Sequence, residues 1–373
     1  MAPTQALKAK KMDKVFLITT ATLVIAGFFI FISASLGLLT RGSARFEAVT
    51  FNQVVFGLIG GSIACFITSR INYNFWRKHA FYFFIAAAVV MLLVFVPGIQ
   101  FCAKGACRWI DAGFTTFQPS EIYKLAFVMY LAAWLASVKS KAATFKLGTL
   151  PFLILVAITA AIVLMQPDTD TFMVISLAGL SIFLTAGGRW RDILVMGLVG
   201  VLALGMLVMA RPYLKQRLMT FMDPARDPTG SGYQIQQSLI AIGSGGVFGR
   251  GFGQSIQKFN FLPEPIGDSI FAVAGEEFGF VGTVAIIGLY VTFAIRGYKI
   301  ALRAPDLFGT FLVVGIVTLI IVQSFLNIAA MLAIIPLAGT PLLFISHGGT
   351  ALFFALASVG IILNVSRYQK KTA

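Results

Sequence analysis

The chain has 373 residues, of which 58% are hydrophobic and only 12% are charged. Soluble domains contain roughly 45–50% apolar residues, so this composition excludes a soluble globular protein and indicates a polytopic membrane protein. The formal net charge of +15 does not indicate nucleic-acid binding. The basic residues form short clusters between apolar runs, which is how orientation signals and contacts with anionic lipids are distributed.

Ten apolar windows are long enough to cross about 30 Å of hydrocarbon. The first is longer than the apolar core of a signal peptide and lacks a small-residue cleavage site, so we expect it to be retained as a span. The sequence thus predicts a single all-α membrane domain over residues 1–373, with about ten transmembrane helices. The windows cover about residues 15–38, 51–69, 79–97, 119–138, 148–165, 169–187, 192–210, 269–295, 307–334 and 343–366.

The basic residues predict the orientation of these helices. An even number of spans places both termini on one side of the membrane. Well over half of the basic residues then fall on that side, which the positive-inside rule identifies as the cytoplasm. We therefore expect both termini in the cytoplasm and the large loop 211–268, between helices seven and eight, outside. The clusters on the predicted cytoplasmic side are 8–14, 70–78, 139–146, 189–191, 296–303 and 367–371.

The loop 211–268 is the longest polar stretch in the chain. Polar residues in a mostly apolar membrane protein concentrate where it performs chemistry or transport. Within the loop, apolar residues at Ile235, Leu239 and Ile242 predict a helix over 232–245. That helix is too short to span, so we expect it to be interfacial or re-entrant. The glycine-rich run that follows either lets backbone amides approach a ligand or forms a hinge.

Two ionisable residues open the fourth predicted helix, in the motif QPSEIYK. Glu121 and Lys124 are three residues apart, so they share one helical face near the predicted outer boundary and can pair. The pair either takes part in function or is a purely structural salt bridge, in which each charge only neutralises the other.

The turn QPDTD joins helices five and six on the same predicted outer side. Asp170 is interpreted as an ordinary turn acid or helix cap. Asp168 could also be a turn acid, or it could face the same cavity as Lys124.

Three more carboxylates lie at or inside the eighth predicted helix. Asp268, at its start, could be an N-cap, and capping does not exclude a reactive role. Glu276 and Glu277 lie about two turns further on, and at least one of them should point into the bundle. Structural pairing is the expectation for both.

Cations are spread along the loop 211–268. They suffice to hold a phosphate or diphosphate headgroup, although orientation on anionic lipid surfaces is an alternative use. With most carboxylates predicted near the same membrane boundary, they indicate an outward-facing site for an amphiphilic phosphate-bearing substrate. These cations are Arg211, Lys215, Arg217, Arg250 and Lys258.

The cysteines and histidines do not indicate a zinc or redox enzyme, because no cluster has metal-ligand spacing. Cys102 and Cys107 share a predicted external loop with Gly105, which permits a tight ring. A disulfide and two free thiols are both open, since sequence does not reveal Cβ geometry. No metal site or cofactor is evident, and a divalent cation remains an option.

Several ordered motifs resemble the SEDS family (shape, elongation, division and sporulation), and the resemblance covers nearly the whole chain. The stretch GQSIQK before LPE is more similar to the FtsW branch than to the RodA branch. The motifs are KGACRWID, QPSEIYK, QPD, FMDPARDPTGSGYQ, QSLIAIGSGG, LPEPIGD, GEEFGF and PLLFISHGGT.

This resemblance implies an inverting peptidoglycan glycosyltransferase that polymerises lipid II outside the cytoplasmic membrane. The likeness to the FtsW branch implies a role in septal wall synthesis during cell division. The implied partners are a class B penicillin-binding protein and other division proteins, beside membrane lipids. Carried over by position, Asp268 is the catalytic aspartate, and Glu121, Lys124 and Asp168 line the central cavity. Two motifs depart from the usual pattern: Gly267 precedes Asp268 instead of Thr, and His347 replaces Tyr.

The implied reaction needs a base for the acceptor hydroxyl and positive charge for the leaving diphosphate. We expect Asp268 to be the base. The cations expected to hold phosphate include Lys124, Arg211, Lys215 and Arg250. Two alternatives remain open: a lipid II flippase, which would need access from both membrane faces, and a non-catalytic scaffold of the division complex.

Overall fold

The computed structural model describes residues 11–41, 43–103, 106–111 and 116–369. Predictions that involve the terminal residues 1–10 and 370–373, or Gly105, lie outside this part of the chain. Most of the described chain is helical. The α-helices are α1 (Lys14–Ser35), α2 (Ser43–Phe51), α3 (Gly61–Arg70), α4 (Tyr73–Leu93), α5 (Pro119–Val138), α6 (Leu150–Leu164), α7 (Thr169–Thr185), α8 (Trp190–Ala210), α9 (Pro212–Met222), α10 (Ser231–Ser244), α11 (Ile270–Leu302), α12 (Leu307–Met331) and α13 (Gly349–Ser366).

The predicted fold class, a helical polytopic membrane protein, is confirmed. In the described part of the chain, nine helices are long and apolar enough to cross a membrane, and α7 is a shorter apolar helix of 17 residues. Together they account for the ten predicted windows. The second window is one helical run over Phe46–Arg70, with a π-helical turn at Asn52–Gly60 between α2 and α3.

Several predicted boundaries are wrong, and local contacts explain two of them. The third helix begins at Tyr73 and not at 79, because the Asn72 side chain caps it by accepting from the Asn74 N–H. The last helix begins at Gly349 and not at 343. There the chain first makes a turn, in which the Ser346 N–H donates to the Leu342 carbonyl.

A small sheet, which the sequence analysis missed, lies between α4 and α5. Its strands are β1 (Gln100–Ala103), β2 (Ala106–Asp111) and β3 (Thr116–Phe117), paired antiparallel in that order. Cys102 and Cys107 form a disulfide between β1 and β2, so the bonded alternative is confirmed.

The core of the bundle is formed by α5, α12 and α13, most of whose residues are buried. Small residues let α3 and α13 approach closely, as is usual between membrane helices. A Cβ at Gly360 would lie 2.0 Å from Thr68 Oγ1, and that hydroxyl donates to the Ala357 carbonyl at 2.9 Å. By contrast, only Ile193 of α8 is buried, so α8 lies at the periphery.

The loop 211–268 is ordered by two helices, α9 and α10, followed by an irregular glycine-rich segment. The predicted helix over 232–245 is confirmed as α10. The glycine-rich segment pairs with α11, which is broken at Gly279 (φ 64°). The Phe280 N–H donates to the Gly246 carbonyl at 2.9 Å, which satisfies backbone groups that the break would expose.

Backbone approach explains the glycines of this segment. A Cβ at Gly249 would lie 2.1 Å from the Glu277 carbonyl oxygen. A larger residue would therefore push the glycine-rich segment away from α11. The backbone that comes close here is that of α11. At Gly249 the segment therefore supports a broken helix, and its use as a ligand cradle or as a hinge stays a prediction.

Candidate active site

The turn that carries Asp268 is held from two sides. Asn327 of α12 donates its Nδ2 to the Asp268 carbonyl at 2.8 Å. Ser346 donates its hydroxyl to the Gly267 carbonyl at 2.8 Å, and the His347 N–H donates to the Ile266 carbonyl at 2.7 Å. These bonds fix the backbone of Asp268 while its side chain remains partly exposed.

The structure does not support the alternative in which Asp268 is the N-cap of the following helix. The helix α11 begins at Ile270, and its N-cap residue is Ser269, whose side chain makes no capping hydrogen bond. Asp268 therefore lies one residue before the cap.

The Asp268 carboxylate shares the space beside Gly339 with an arginine and a second carboxylate. A methyl group built on Gly339 would lie 3.7 Å from Arg217 Nη2, 3.8 Å from Asp170 Oδ2 and 4.0 Å from Asp268 Oδ2. Three charged groups from α7, α9 and the Asp268 turn thus lie within 4.0 Å of one point. Arg217 was recognised from the sequence only as one of the loop cations, and Asp170 only as a turn acid.

The predicted pair of Glu121 and Lys124 exists. Lys124 Nζ lies 2.9 Å from Glu121 Oε1, and both side chains are buried. Lys124 Nζ also donates to Gln323 Oε1 at 2.6 Å. The pair lines a cavity of about 30 Å³ between α5, α12 and α13, together with Gln323 and Ser358.

One face of α12 connects this pair to the Asp268 turn. Gln323 contacts Lys124, and Asn327, four residues later, holds the Asp268 carbonyl. Residues four apart on a helix lie about 6 Å apart along its axis. The Glu121–Lys124 pair and the Asp268 backbone are therefore held by residues about one helical turn apart on α12.

Asp168 contacts other residues than the Glu121–Lys124 pair does. Its side chain caps α7 by accepting from the Thr171 N–H at 3.3 Å, and Arg108 Nη1 lies 3.5 Å from its Oδ1. Arg108 also donates to the carbonyls of Gln166 and Pro167. Asp168 is not among the residues that line the Lys124 cavity. The turn that carries it also carries Asp170.

The other candidate cations occupy the loop surface. Arg211 and Lys215 are exposed, and Lys215 lines an open groove of about 260 Å³ with Gln216 and Thr220. Arg250 Nη1 lies 3.4 Å from Glu276 Oε1, so part of its charge is already balanced.

Lys258 is not a surface cation, which corrects the sequence interpretation. Its side chain is fully buried, and Nζ lies 2.7 Å from Glu277 Oε1. Glu276 is also buried and accepts from Ser255 Oγ at 2.6 Å. The expectation of structural pairing is confirmed for both glutamates.

Within residues 11–41, 43–103, 106–111 and 116–369, no group of three or more His, Cys, Asp or Glu side chains could hold a metal ion. Divalent-cation involvement stays a prediction.

The fold defines a polytopic membrane protein, and its candidate site is the polar region around the Asp268 turn. The sequence profile of the FtsW, RodA and SpoVE family, described as cell cycle proteins, matches residues 13–371. The chain therefore belongs to this family, as the SEDS motifs indicated.

Relatives match over almost their whole length. The chain is 37% identical over 361 residues to a "Probable peptidoglycan glycosyltransferase FtsW" of Geobacter sulfurreducens, covering 97% of this chain and 96% of the relative. It is 37% identical over 366 residues to "Stage V sporulation protein E" of Bacillus subtilis, covering 97% and 99%.

Solved structures share the fold. A chain from a peptidoglycan synthase complex matches with a TM-score of 0.77 and 25% identity, covering 95% of this chain and 98% of that chain. The rod shape determining protein RodA of Thermus thermophilus matches with a TM-score of 0.68 and 23% identity, covering 96% and 98%.

Proposed function

We propose that this protein is an FtsW-type peptidoglycan glycosyltransferase that polymerises lipid II at the outer face of the cytoplasmic membrane, for septal wall synthesis. Family membership and the names of its relatives support the activity. The observation that carries the site assignment is the rigid turn that presents the Asp268 carboxylate toward Arg217 and Gly339.

In the proposed reaction, Asp268 removes the proton from a sugar hydroxyl of the acceptor. The freed oxygen attacks the anomeric carbon of the donor and forms the new glycosidic bond. The bond from that carbon to the diphosphate oxygen breaks, and its electron pair leaves with the polyprenyl diphosphate. One displacement inverts the α-linked donor to a β-linked product. Asp268 then releases its proton to water.

A cationic environment favours this displacement because the leaving diphosphate gains negative charge. Lys124, Arg211, Lys215 and Arg250 are the candidates that the sequence provides for substrate binding, with Glu121 and Asp168 in orienting roles. Lys124 is already held by Glu121 and Gln323, so it would act from a preorganised position.

A transpeptidase partner belongs to the same proposal. The solved structure concerns "coordination of polymerization and crosslinking by a peptidoglycan synthase complex", which supports pairing with a class B penicillin-binding protein. Interaction with other division proteins, cytoplasmic termini and an external loop 211–268 complete the proposed setting.

The test is glycan synthesis from labelled lipid II by the full-length protein in complex with its transpeptidase. Asp268→Asn should bind lipid II and form no polymer, because Asn retains the shape and lacks the proton acceptor. Asp223→Asn changes an exposed carboxylate of the same loop and should leave polymerisation unchanged.

The outcomes separate the alternatives. Near-normal polymer from folded Asp268→Asn would eliminate Asp268 as the base. A wild-type protein that moves lipid II between the leaflets of vesicles without polymerising it would be a flippase. A protein that does neither, with its partner present, would be a scaffold.

A further inference from the structure

One oxygen of Asp170 joins two distant parts of the chain. Asp170 Oδ2 accepts from Arg217 Nη1 at 3.1 Å and from the Gly339 N–H at 2.9 Å. Arg217 belongs to α9, and Gly339 belongs to the segment between α12 and α13. A carboxylate in the first turn of α7 therefore fixes both neighbours of Asp268.

This ion pair is more shielded than an ordinary surface pair. The Asp170 and Arg217 side chains are 14% and 28% exposed, whereas the Asp223 and Arg226 side chains, paired at the same 3.1 Å, are 50% and 63% exposed. Shielding from water strengthens the attraction between the charges and reduces the freedom of the arginine. Asp170 is thus able to set the orientation of Arg217.

The geometry of a guanidinium carries that orientation to the site. Its nitrogens form a planar fork, so fixing one terminal nitrogen also directs the other. Nη1 pairs with Asp170. A methyl group built on Gly339 would lie 3.7 Å from Nη2 and 4.0 Å from Asp268 Oδ2, so both atoms border the same space. A phosphate oxygen in this space could accept from Nη2.

We propose that Arg217 receives the departing diphosphate beside Asp268 and that Asp170 is the positioning residue that aims it. This inference rests on the proposed glycosyltransferase reaction. The electron pair of the broken bond to the anomeric carbon goes to the diphosphate oxygen. Arg217 stabilises that charge by hydrogen bonding and transfers no proton.

The arrangement also explains how Arg217 is stabilised without substrate. Its Nη1 pairs with Asp170, and its Nη2 lies near the same Gly339 position as the Asp268 carboxylate. An incoming diphosphate adds a further anionic partner at Nη2 without breaking the contact at Nη1. Lys124, in contrast, already contacts Glu121 and Gln323 in a buried cavity.

A double-mutant cycle tests whether Asp170 acts through Arg217. The variants are Asp170→Asn, Arg217→Ala and the double variant, each as the full-length protein with its transpeptidase. We expect about a tenfold loss of kcat/KM for Asp170→Asn and about a hundredfold loss for Arg217→Ala. In the Arg217→Ala background, Asp170→Asn should cost less than about twofold. Fully multiplicative losses would overturn the positioning role.

A second readout distinguishes diphosphate binding from a structural role. Polyprenyl diphosphate and polyprenyl monophosphate are compared as inhibitors of each variant. The wild type should prefer the diphosphate, and Arg217→Ala should lose most of that preference. Unchanged preference in a folded Arg217→Ala protein would overturn the assignment. The control variant Asp223→Asn, at an exposed carboxylate, should retain the wild-type rate and preference.

Gly339→Ala tests the shared space without removing a charge. The added methyl would meet its neighbours at 3.7 Å or more, which is ordinary contact, so the fold should be kept. We expect about a tenfold loss of rate, because the methyl occupies the space where substrate oxygen would meet Arg217 and Asp268. A wild-type rate in this variant would contradict the geometry.

The failure of this inference is distinguishable from that of the proposed base. Polymer formation by Asp268→Asn would show that Asp268 is not the base. The inhibitor comparison would still test Arg217 independently. Loss of polymer in Asp268→Asn together with an unchanged diphosphate preference in Arg217→Ala would retain the base and remove the role of Arg217.

Discussion

Lys258 Nζ lies 2.7 Å from Glu277 Oε1, and both side chains are fully buried. Lys258 Nζ also donates to Ser33 Oγ at 2.9 Å and to the Gly253 carbonyl at 2.8 Å. The pair thereby joins α1, α11 and the glycine-rich segment that supports the break in α11.

Removing the cation should destabilise the protein strongly. Lys258→Met leaves the Glu277 carboxylate buried without its charge partner, at a cost of about 3–5 kcal/mol. We expect a large fall in the thermal unfolding midpoint in detergent. The double variant Lys258→Met, Glu277→Gln should recover much of the loss, because no uncompensated charge remains.

The exposed pair of Asp223 and Arg226 provides the control, since breaking it should leave the midpoint almost unchanged. A similar small effect for Lys258→Met would mean that the buried pair contributes little to folding.

Glu121 and Lys124 should behave as a functional pair. Lys124→Ala strands Glu121 in a buried cavity, at a cost of about 3–5 kcal/mol, and should lower polymerisation while the protein still inserts. Glu121→Gln combined with Lys124→Met removes both charges and should restore stability but not activity. Lipid II polymerisation and thermal unfolding are measured on the same preparations. Wild-type activity in the double variant would leave a purely structural salt bridge.

Sequence was sufficient where the relevant contacts are local. Glu121 and Lys124 are three residues apart on one helix, so helical geometry alone brought them together. The apolar windows similarly identified the helices, since the length of a span is set by the bilayer. Capping and turns decided the boundaries, which explains the errors at Tyr73 and Gly349.

Sequence was insufficient where charge partners come from distant segments. Asp170 and Arg217 are 47 residues apart, and Asp170 and Gly339 are 169 residues apart. No local pattern specifies those contacts. Lys258 was misassigned for the same reason. A lysine in a polar loop resembles a surface cation until its buried partner, here Glu277, is known.

Orientation is testable by labelling single cysteines with an impermeant thiol reagent in intact cells. If the loop 211–268 is external, Thr229→Cys should be labelled and Lys141→Cys should be protected. Position 229 is preferable to Gly230, where a Cβ would lie 2.6 Å from Asp227 Oδ2. The parent chain controls for native cysteines. Labelling at 141 with protection at 229 would reverse the proposed topology.

His347 should make stability depend on pH. The residue precedes α13 and stacks on Phe31, with ring centroids 6.1 Å apart. Its Nε2 is buried and has no hydrogen-bond partner among the described residues. Burial lowers the pKa of His347 from 6.5 to about 4, although the negative charge of Glu264 acts in the opposite direction.

The direction of the effect follows from the two protonation states. Between pH 6.5 and about 4, His347 is largely protonated in the unfolded chain and largely neutral in the folded protein. The unfolded state therefore binds more protons, and stability falls as pH is lowered through this window. The difference amounts to about 2 kcal/mol at pH 5 and disappears above pH 6.5.

The measurement compares thermal unfolding midpoints in detergent at pH 7.5 and pH 5 for the wild type and His347→Phe. Phe can keep the stacking on Phe31 and cannot be protonated. Carboxylates titrate in both proteins, so the difference between their pH responses isolates His347. The wild type should lose more stability than the variant.

Because the His347 N–H holds the Ile266 carbonyl in the turn that carries Asp268, polymerisation should show the same difference. Equal responses of the two proteins would mean that His347 accepts a proton as readily when folded as when unfolded.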